Sequence, residues 1–456
     1  MSQQQAAPGG PQQLPPVWAI VIPVFIELVL TFSVFFSDSF FLSRISDAVA
    51  ASVGTTIPIF MVCVLVAMMM AQGASNAAGQ FNGAGQTKES GRIYCAVLVV
   101  NAVLGLLTAL AMGFGASVIA KGLGLTGDEH GHAVAFMSAI APALIFIGLK
   151  YALGSVFVSR GQTVWTMFGG VVAIAVNIAL NIVFQRAGMG IEGVALATIL
   201  AQVAVILFYV VVMLTKVKSP HEWRAFFAAP AEPIRNVLRI GVPSVVQPVS
   251  AELAMLVIAA AAVHLGTEAM AARVYVMNLA TVAICWAAAV SIGNQVLVAI
   301  LVGAGQPQAA NAVLMSNLRI AVVGSLLIAL ALWASGGTLV GIFTQDPKII
   351  AISTDLLVLA ILLEPARSLG TLSSFALKAA GDANYPAAVG LGVTWLVAVP
   401  LAVYLCLYSG LGMAGLWVGL VVDETLRGMI NFRRWQSGRW QSKALTMPAS
   451  SAKEAL

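Results

Sequence analysis

Two carboxylic acids lie inside a long apolar segment near the start of the chain. Residues 24–44 read VFIELVLTFSVFFSDSFFLSR and include Glu27 and Asp38. The segment is long enough to cross a bilayer, where an ionised carboxylate costs roughly 2.5 kcal/mol or more. Because leucine would pack better there, we expect Asp38 to belong to a site for a cation, such as Na⁺, or for a proton. Glu27 lies nearer the start of the helix and is a lesser candidate, for the substrate cleft or for gating.

Two asparagines occur in another apolar segment, VAIAVNIALNIVF. Asn177 and Asn181 are four residues apart, so they share one face of a helix. Their amides suit cation coordination or a hydrogen bond to an acid, which makes them candidates for the same coupling site as Asp38. Polar packing between membrane helices is the alternative, and it is equally compatible with the pattern.

Further charged residues fall inside apolar segments and are candidates for the substrate cleft or for gating. Glu364 and Arg367 are three residues apart, a spacing that favours an ion pair on one helix face. Glu252 lies within the seventh apolar span. Lys150 is either half of a structural pair or a contact for an anionic group.

Composition defines the class of protein. Of 456 residues, 60% are hydrophobic and only 9% are charged, against about 25% charged in soluble domains. Continuous apolar runs indicate membrane-spanning helices rather than a β-barrel. The basic residues lie in loops and at helix ends, so the net charge of +5 does not indicate nucleic-acid binding. The four cysteines all fall in apolar segments and predict neither disulfides nor a structural metal site.

The apolar runs predict twelve membrane-spanning helices, six in each half of the chain. The expected divisions are a disordered tail over 1–15, an N-lobe over 16–214, a linker over 215–233, a C-lobe over 234–434 and a second tail over 435–456. The distribution of lysine and arginine among the loops predicts that both termini are cytoplasmic. We expect a multi-pass protein of a bacterial inner membrane, and a monomer.

The two halves resemble each other. Pro23 recurs as Pro243 and Gly161 as Gly381, each 220 residues later, and Gly-Ala-Gly-Gln occurs at 83–86 and again at 303–306. Because six spans is an even number, both halves begin on the same side, and the repeats are parallel. Such lobes leave a cleft between them. The counterpart of Asp38 is Ile258, which predicts a coupling site in one lobe alone.

Four stretches carry a resemblance to a known family. They are SDSFFLSRISDAVAASVG, AQGASNAAGQFNGAGQ, VAIAVNIALNIVF followed by GMGIEGVALAT, and LLEPARSLGTLSSFALKAAGDANYP. In order and spacing they resemble the multidrug and toxic compound extrusion (MATE) family over roughly residues 15–435. The resemblance implies an all-α membrane protein with twelve helices in two pseudo-symmetric lobes, alternating access, and export driven by an inward Na⁺ or H⁺ gradient.

The resemblance also bears on individual residues. Asp38 matches the family's first-helix acid, which is implicated in cation coupling, and Asn181 falls where members carry an acid or an amide. Glu252 is displaced by about one residue from a helix-seven acid of one branch. Arg367 stands where that branch has a helix-ten acid, which argues against a second cation site in the C-lobe and favours the Asp38 site.

These observations predict a secondary active exporter of amphipathic, often cationic, organic compounds. A flippase for lipid-linked precursors and a dedicated exporter of one secondary metabolite are the alternatives within the same superfamily. An ion channel is disfavoured by the paired lobes. No nucleotide-binding or catalytic motif occurs, so neither an ATP-driven pump nor an enzyme is expected. The expected partners are a small-molecule substrate and the lipid bilayer, with Na⁺ or H⁺ as coupling ion and no cofactor.

Overall fold

Long apolar helices joined by short, often glycine-containing turns make up the protein. The computed structural model describes residues 14–217 and 221–446, and within these ranges all regular secondary structure is helical. Most of the predicted N-terminal tail, part of the predicted linker and the last ten residues lie outside the described residues. The N-lobe contains eight helices: α1 Val17–Ser43, α2 Asp47–Gly54, α3 Ile57–Gly83, α4 Thr87–Gly122, α5 Gly127–Ile140, α6 Ala143–Ser159, α7 Val164–Arg186 and α8 Gly190–Val212.

A short helix and a second set of long helices follow. The connecting helix is α9, Trp223–Ala228, which lies within the predicted linker. The C-lobe contains α10 Ala231–Val263, α11 Thr267–Gly303, α12 Pro307–Ala334, α13 Gly336–Gly341, α14 Pro347–Ala379, α15 Asn384–Val393, α16 Val399–Leu407 and α17 Met413–Gln436. A π-helical segment, Thr394–Ala398, joins α15 to α16, so that the two form one span.

The number of spans agrees with the twelve predicted to within one helix. Among the described residues, ten helices are long and apolar enough to cross a membrane. The pair α5 and α6 adds an eleventh, bent by 41° at a break next to Pro142, whose missing N–H favours such a break. The twelfth predicted span is α17, which is 24 residues long and carries buried Asp423 among several charges. The all-helical, two-lobed membrane fold is therefore confirmed.

The internal repeat appears as a symmetric contact between the two lobes. A methyl group on Gly83, at the end of α3, would overlap the carbonyl oxygen of Ile300 on α11. A methyl group on Gly303, at the end of α11, would overlap the carbonyl oxygen of Gln80 on α3. Gly83 and Gly303 are 220 residues apart in sequence, and so are Gln80 and Ile300. The ends of α3 and α11 therefore cross in backbone contact about a pseudo-twofold axis, as parallel repeats predict.

The same end of the molecule closes the space between the lobes. We call it the terminal face, because the start of α1 and the described segment after α17 both lie there. Gly73 of α3 packs directly on Gly241 of α10. Between α11 and α3, the side chain of Gln295 donates a short buried hydrogen bond to the side chain of Asn76. The interlobe cleft is consequently sealed on the terminal face.

Candidate functional site

Asp38 lies where α1, α7 and α8 meet in the N-lobe. The side-chain amides of Asn177 and Asn181 both donate to Asp38 Oδ1, at 2.8 and 3.1 Å. The hydroxyl of Thr198 donates to Asp38 Oδ2 at 2.7 Å. Both carboxylate oxygens therefore accept hydrogen bonds, and three donors from two neighbouring helices hold the acid in place.

The helical spacing of the two asparagines explains this convergence. Asn177 and Asn181 lie one turn apart on α7, and both side chains are 0% exposed. Asn181 also donates to Asn177 Oδ1 at 3.2 Å, so the two amides orient each other. One acceptor, Asn181 Oδ1, is buried and has no hydrogen-bond partner. A buried acceptor without a partner is costly, and it marks a position where a cation or a water molecule would be stabilised.

Glu27 and Lys150 form a second polar group on the N-lobe wall. Glu27 lies on α1 about three turns from Asp38, and Lys150 lies on α6. Their charges interact electrostatically, and Thr166 also faces the Glu27 carboxylate. Within the described chain, Lys150 makes no hydrogen bond and no ion pair within 4.0 Å. Its ammonium group instead lies 4.3 Å from the centre of the Tyr151 ring.

A large cavity separates the two lobes. Its volume is about 590 Å³, and its walls are mainly apolar, with Phe35, Met61 and Met68 among the N-lobe residues. Three charged residues line it: Glu27 and Lys150 from the N-lobe and Glu252 from the C-lobe. We call this cavity the cleft. A smaller N-lobe cavity of about 40 Å³ is lined by Glu27, Lys150 and Thr198, and therefore lies between the cleft and the Asp38 site.

Glu364 and Arg367 occupy a different place from the other predicted site residues. The structure does not put either of them among the residues that line the cleft. Arg367 Nε donates to Glu364 at 3.1 Å, and Glu364 is 1% exposed. The pair belongs to a chain of charges inside the C-lobe, in which Arg427 binds Glu424 at 2.9 Å and Asp423 at 2.6 Å. Arg367 Nη1 lies 3.9 Å from Glu424 and links the two parts.

This C-lobe cluster is largely self-compensating. It contains three carboxylates and two guanidinium groups, and Thr394 donates to the outermost carboxylate, Asp423, at 2.9 Å. The arginines occupy most of the carboxylate acceptor positions, and Glu424 Oε2 is buried without a hydrogen-bond partner among the described residues. The cluster therefore links α14 to α17. In the described ranges, no three His, Cys, Asp or Glu side chains are placed so that they could hold a metal ion.

Several functional residues were not predicted from the sequence. Thr198 is the third donor to Asp38. In the sequence, the one indication of its importance is that it ends the stretch GMGIEGVALAT, which resembles the family. Arg427 and the interlobe pair formed by Asn76 and Gln295 were also missed. Polar residues of these types are common in membrane helices, so only their spatial partners distinguish them.

Two six-span lobes around a charged cleft define the class of protein as a membrane transporter. The family model MatE matches residues 23–183 and 243–404, which are the two repeats. The chain belongs to the multidrug and toxic compound extrusion (MATE) family.

Known relatives extend over almost the whole chain. The uncharacterized transporter YisQ of Bacillus subtilis is 28% identical over 434 residues, covering 94% of this chain and 95% of YisQ. The probable multidrug resistance protein NorM of Xanthomonas axonopodis is 26% identical and covers 97% of both chains. An outward-facing structure of a multidrug resistance MATE transporter superposes with a TM-score of 0.86 at 18% identity, over 96% of both chains. The chain is therefore a transporter of the MATE family, with a small-molecule substrate and the bilayer as partners.

Proposed function

We propose that this protein is an antiporter that exports amphipathic organic compounds by alternating access, coupled to the influx of H⁺ or Na⁺ at Asp38. The observation that carries the proposal is the set of three donors that converge on this one half-buried acid of the N-lobe. The names of the NorM relatives support multidrug export as the activity. The proposed divisions are an N-lobe over 16–214 and a C-lobe over 234–434.

Coupling requires that the ion and the substrate favour different arrangements of the lobes. Binding of a cation or proton neutralises Asp38 and weakens the hydrogen bonds that it accepts from the donors on α7 and α8. The position of α1 relative to these helices then changes, and α1 also contributes Glu27 to the cleft wall. One charge that moves down a potential of 100 mV supplies about 2.3 kcal/mol, which is enough for a modest substrate gradient.

The arrangement of donors favours H⁺ over Na⁺. Amide nitrogens and a hydroxyl group, rather than oxygen acceptors, face Asp38. A proton needs only the carboxylate and the loss of one of these hydrogen bonds. Hard cations such as Na⁺ require oxygen ligands, so both amides must turn before Asn177 and Asn181 can coordinate one. Asn181 Oδ1, which has no partner, would be the first amide ligand.

The contacts on the terminal face suggest an orientation in the membrane. We propose that the terminal face is cytoplasmic, as the distribution of basic residues predicts, and that the protein lies in a bacterial inner membrane as a monomer. The sealed contacts on the terminal face then mean that the cleft opens to the outside. Release of a substrate and entry of the ion both take place from this state.

The cleft is less suited to a lipid-linked precursor than to an amphipathic compound. A pyrophosphate needs several cationic groups, and Lys150 is the one cationic residue among those lining the cleft, together with two acids. Export of a single secondary metabolite would use the same machinery, and a panel of substrates distinguishes it from multidrug export.

The proposed function is tested by efflux from proteoliposomes under imposed gradients. Purified protein is reconstituted, loaded with a fluorescent amphipathic dye, and exposed separately to a pH gradient and to a Na⁺ gradient. We expect dye movement under the pH gradient, abolished by a protonophore. Movement under the Na⁺ gradient alone identifies Na⁺ as the coupling ion. Absence of gradient-dependent movement for every dye contradicts the proposal.

A further inference from the structure

Lys150 is a charged residue of the cleft to which the described residues supply no hydrogen-bond acceptor. Lys150 carries three N–H donors and no acceptor. Within the described chain none of these donors has a hydrogen-bond partner, although Glu27 is close enough to interact electrostatically. Lys150 lines a mainly apolar cavity, so its donors are available to a ligand in the cleft. A bound ligand that supplies an acceptor would gain a charged hydrogen bond there.

Glu252 supplies the opposite charge on the facing wall. It lies on α10 of the C-lobe and lines the cleft with its side chain exposed. Within the described residues it has no hydrogen bond or ion pair. In the described part of the chain, the cleft thus presents a cation without a hydrogen-bond partner on one lobe and an anion without one on the other, and Glu27 on the N-lobe wall balances part of the charge of Lys150.

We infer that the cleft prefers amphipathic zwitterions, in which a carboxylate engages Lys150 and a protonated amine engages Glu252. The inference rests on the proposed function, since it names the substrate class of the same cleft. An apolar body between the two charged groups matches the phenylalanine and methionine walls. A purely cationic compound satisfies Glu252 but leaves Lys150 without an acceptor and adds a like charge near it.

A matched pair of fluorescent ligands tests this preference. Nα-dansyl-lysine is a zwitterion whose carboxylate and ε-ammonium group are separated by an aliphatic chain beside an apolar ring system, and its methyl ester carries the amine charge alone. A charged hydrogen bond makes a difference of roughly ten- to a hundredfold in affinity, so we expect wild-type protein to bind the zwitterion tighter by that factor. Lys150→Met should abolish the preference, and Lys150→Arg should retain most of it. Lys121→Met, which removes an exposed lysine at the end of α4, is the matched control.

The outcomes separate this inference from the function on which it rests. If both ligands bind equally and are exported under a gradient, the preference for zwitterions is wrong and the antiporter proposal stands. A preference that survives unchanged in Lys150→Met also overturns the inference. If neither ligand binds or is transported, the inference fails. If, in addition, no dye moves under a gradient in the efflux assay, the antiporter proposal fails as well.

A second, independent observation concerns the segment that follows α17. Gly438 adopts a φ of 69°, a left-handed conformation that favours glycine, and turns the chain back over the terminal face. The 3₁₀ helix Arg439–Lys443 then places Trp440 in a stack on Trp435, with ring centres 4.3 Å apart. The indole N–H of Trp440 donates to the Trp435 carbonyl at 3.0 Å. The segment is therefore anchored to the C-lobe.

Beyond this anchor the segment reaches the other lobe. The Leu445 N–H donates to Gln80 Oε1 at 2.8 Å, and Gln80 lies on α3 of the N-lobe. Gln80 Nε2 in turn donates to the carbonyl of Ala379 at the end of α14, at 2.6 Å. The Thr446 hydroxyl donates to the Gly303 carbonyl at 3.4 Å. These bonds cover the place where α3 and α11 cross.

The geometry points to a latch: residues 437–446 hold the terminal face closed and must leave Gln80 before the lobes separate there. Gln80 makes both of its hydrogen bonds across the lobe boundary, so separation breaks them together. Variation in this segment therefore sets the balance between the two states of the transporter without touching the cleft.

Distances between spin labels measure this balance. Labels replace Gln86 and Gln306, which are exposed, lie 220 residues apart and follow α3 and α11 on the terminal face. They are introduced in a Cys63→Ser background, because the other three cysteines are buried. Leu445→Pro removes the N–H donor, whereas Leu445→Ala retains it. We expect Leu445→Pro to raise the longer-distance population several-fold relative to Leu445→Ala; equal distributions overturn the latch.

Discussion

The side-chain amide of Asn177 donates a hydrogen bond of 2.8 Å to Asp38, and this bond joins α7 to α1. It is one of three donors to a carboxylate that lies in a membrane-spanning helix. Three donors stabilise the ionised form of an acid that the apolar surroundings disfavour. The proposed coupling to a cation or a proton requires an acid that is held in this way.

Thr198→Val is expected to alter the pH dependence of transport. The substitution keeps the shape of the side chain and removes the donor to Asp38 Oδ2. With one donor fewer, the neutral form of Asp38 is favoured, so its proton is released only at higher pH. A charged hydrogen bond corresponds to about one pH unit, and the midpoint of efflux against pH should move in the alkaline direction by that amount. Thr108→Val is the control, because that hydroxyl bonds only to carbonyls of its own helix.

Glu252→Gln should weaken the binding of cationic substrates and leave ion coupling intact. Glu252 faces the cleft from the C-lobe and is remote from the donors of Asp38. Loss of one charged contact predicts a rise of roughly tenfold in the KM for a cationic dye. Efflux assays over a range of dye concentrations provide the measurement, with the exposed Glu129→Gln as control. An unchanged KM would show that the dye does not bind at Glu252.

Gly83→Ala and Gly303→Ala should have equal and destabilising effects. Either methyl group would overlap a backbone carbonyl of the other lobe, which cannot move as a flexible side chain does. Overpacking of this kind costs roughly 1–3 kcal/mol. Thermal unfolding in detergent is the measurement. Gly122→Ala, which meets no atom within 4 Å, serves as control; stability equal to that control contradicts the symmetric crossing.

Arg427→Met should destabilise the C-lobe strongly. Arg427 neutralises Asp423 and Glu424, and its removal leaves both acids without their closest counter-charge. Breaking a buried ion pair costs roughly 3–5 kcal/mol. The change is measured as the free energy of unfolding, and the exposed Arg224→Met is the matched control. A stable Arg427→Met variant with normal efflux contradicts a structural role for the cluster.

Much of the architecture could be predicted because apolar length and repeated glycines are local properties of the chain. The resemblance to MATE transporters and the two lobes follow from such signals. Asp38 and the two asparagines were also accessible, since polar residues in membrane helices are conspicuous.

Other features depend on contacts between distant segments, which no local pattern records. Thr198 looks like an ordinary helical threonine until α8 is packed beside Asp38. The role of Arg427 depends on its ion pairs with two acids of its own helix, one of which also contacts Arg367 on α14. Pro142 is one of several prolines within spans, but it alone lies at a sharp break between two helices of the described chain. The contact of Leu445 with Gln80 joins residues 365 positions apart.

The coupling role of Asp38 is tested most directly by comparing two modes of transport in Asp38→Asn. In proteoliposomes, gradient-driven efflux is measured beside exchange of labelled for unlabelled dye without any gradient. Asp47→Asn, the same change at an exposed acid nine positions later, is the control. We predict that Asp38→Asn loses gradient-driven efflux and retains dye binding, whereas the control behaves as wild type. Full gradient dependence in Asp38→Asn contradicts the assignment of the coupling site.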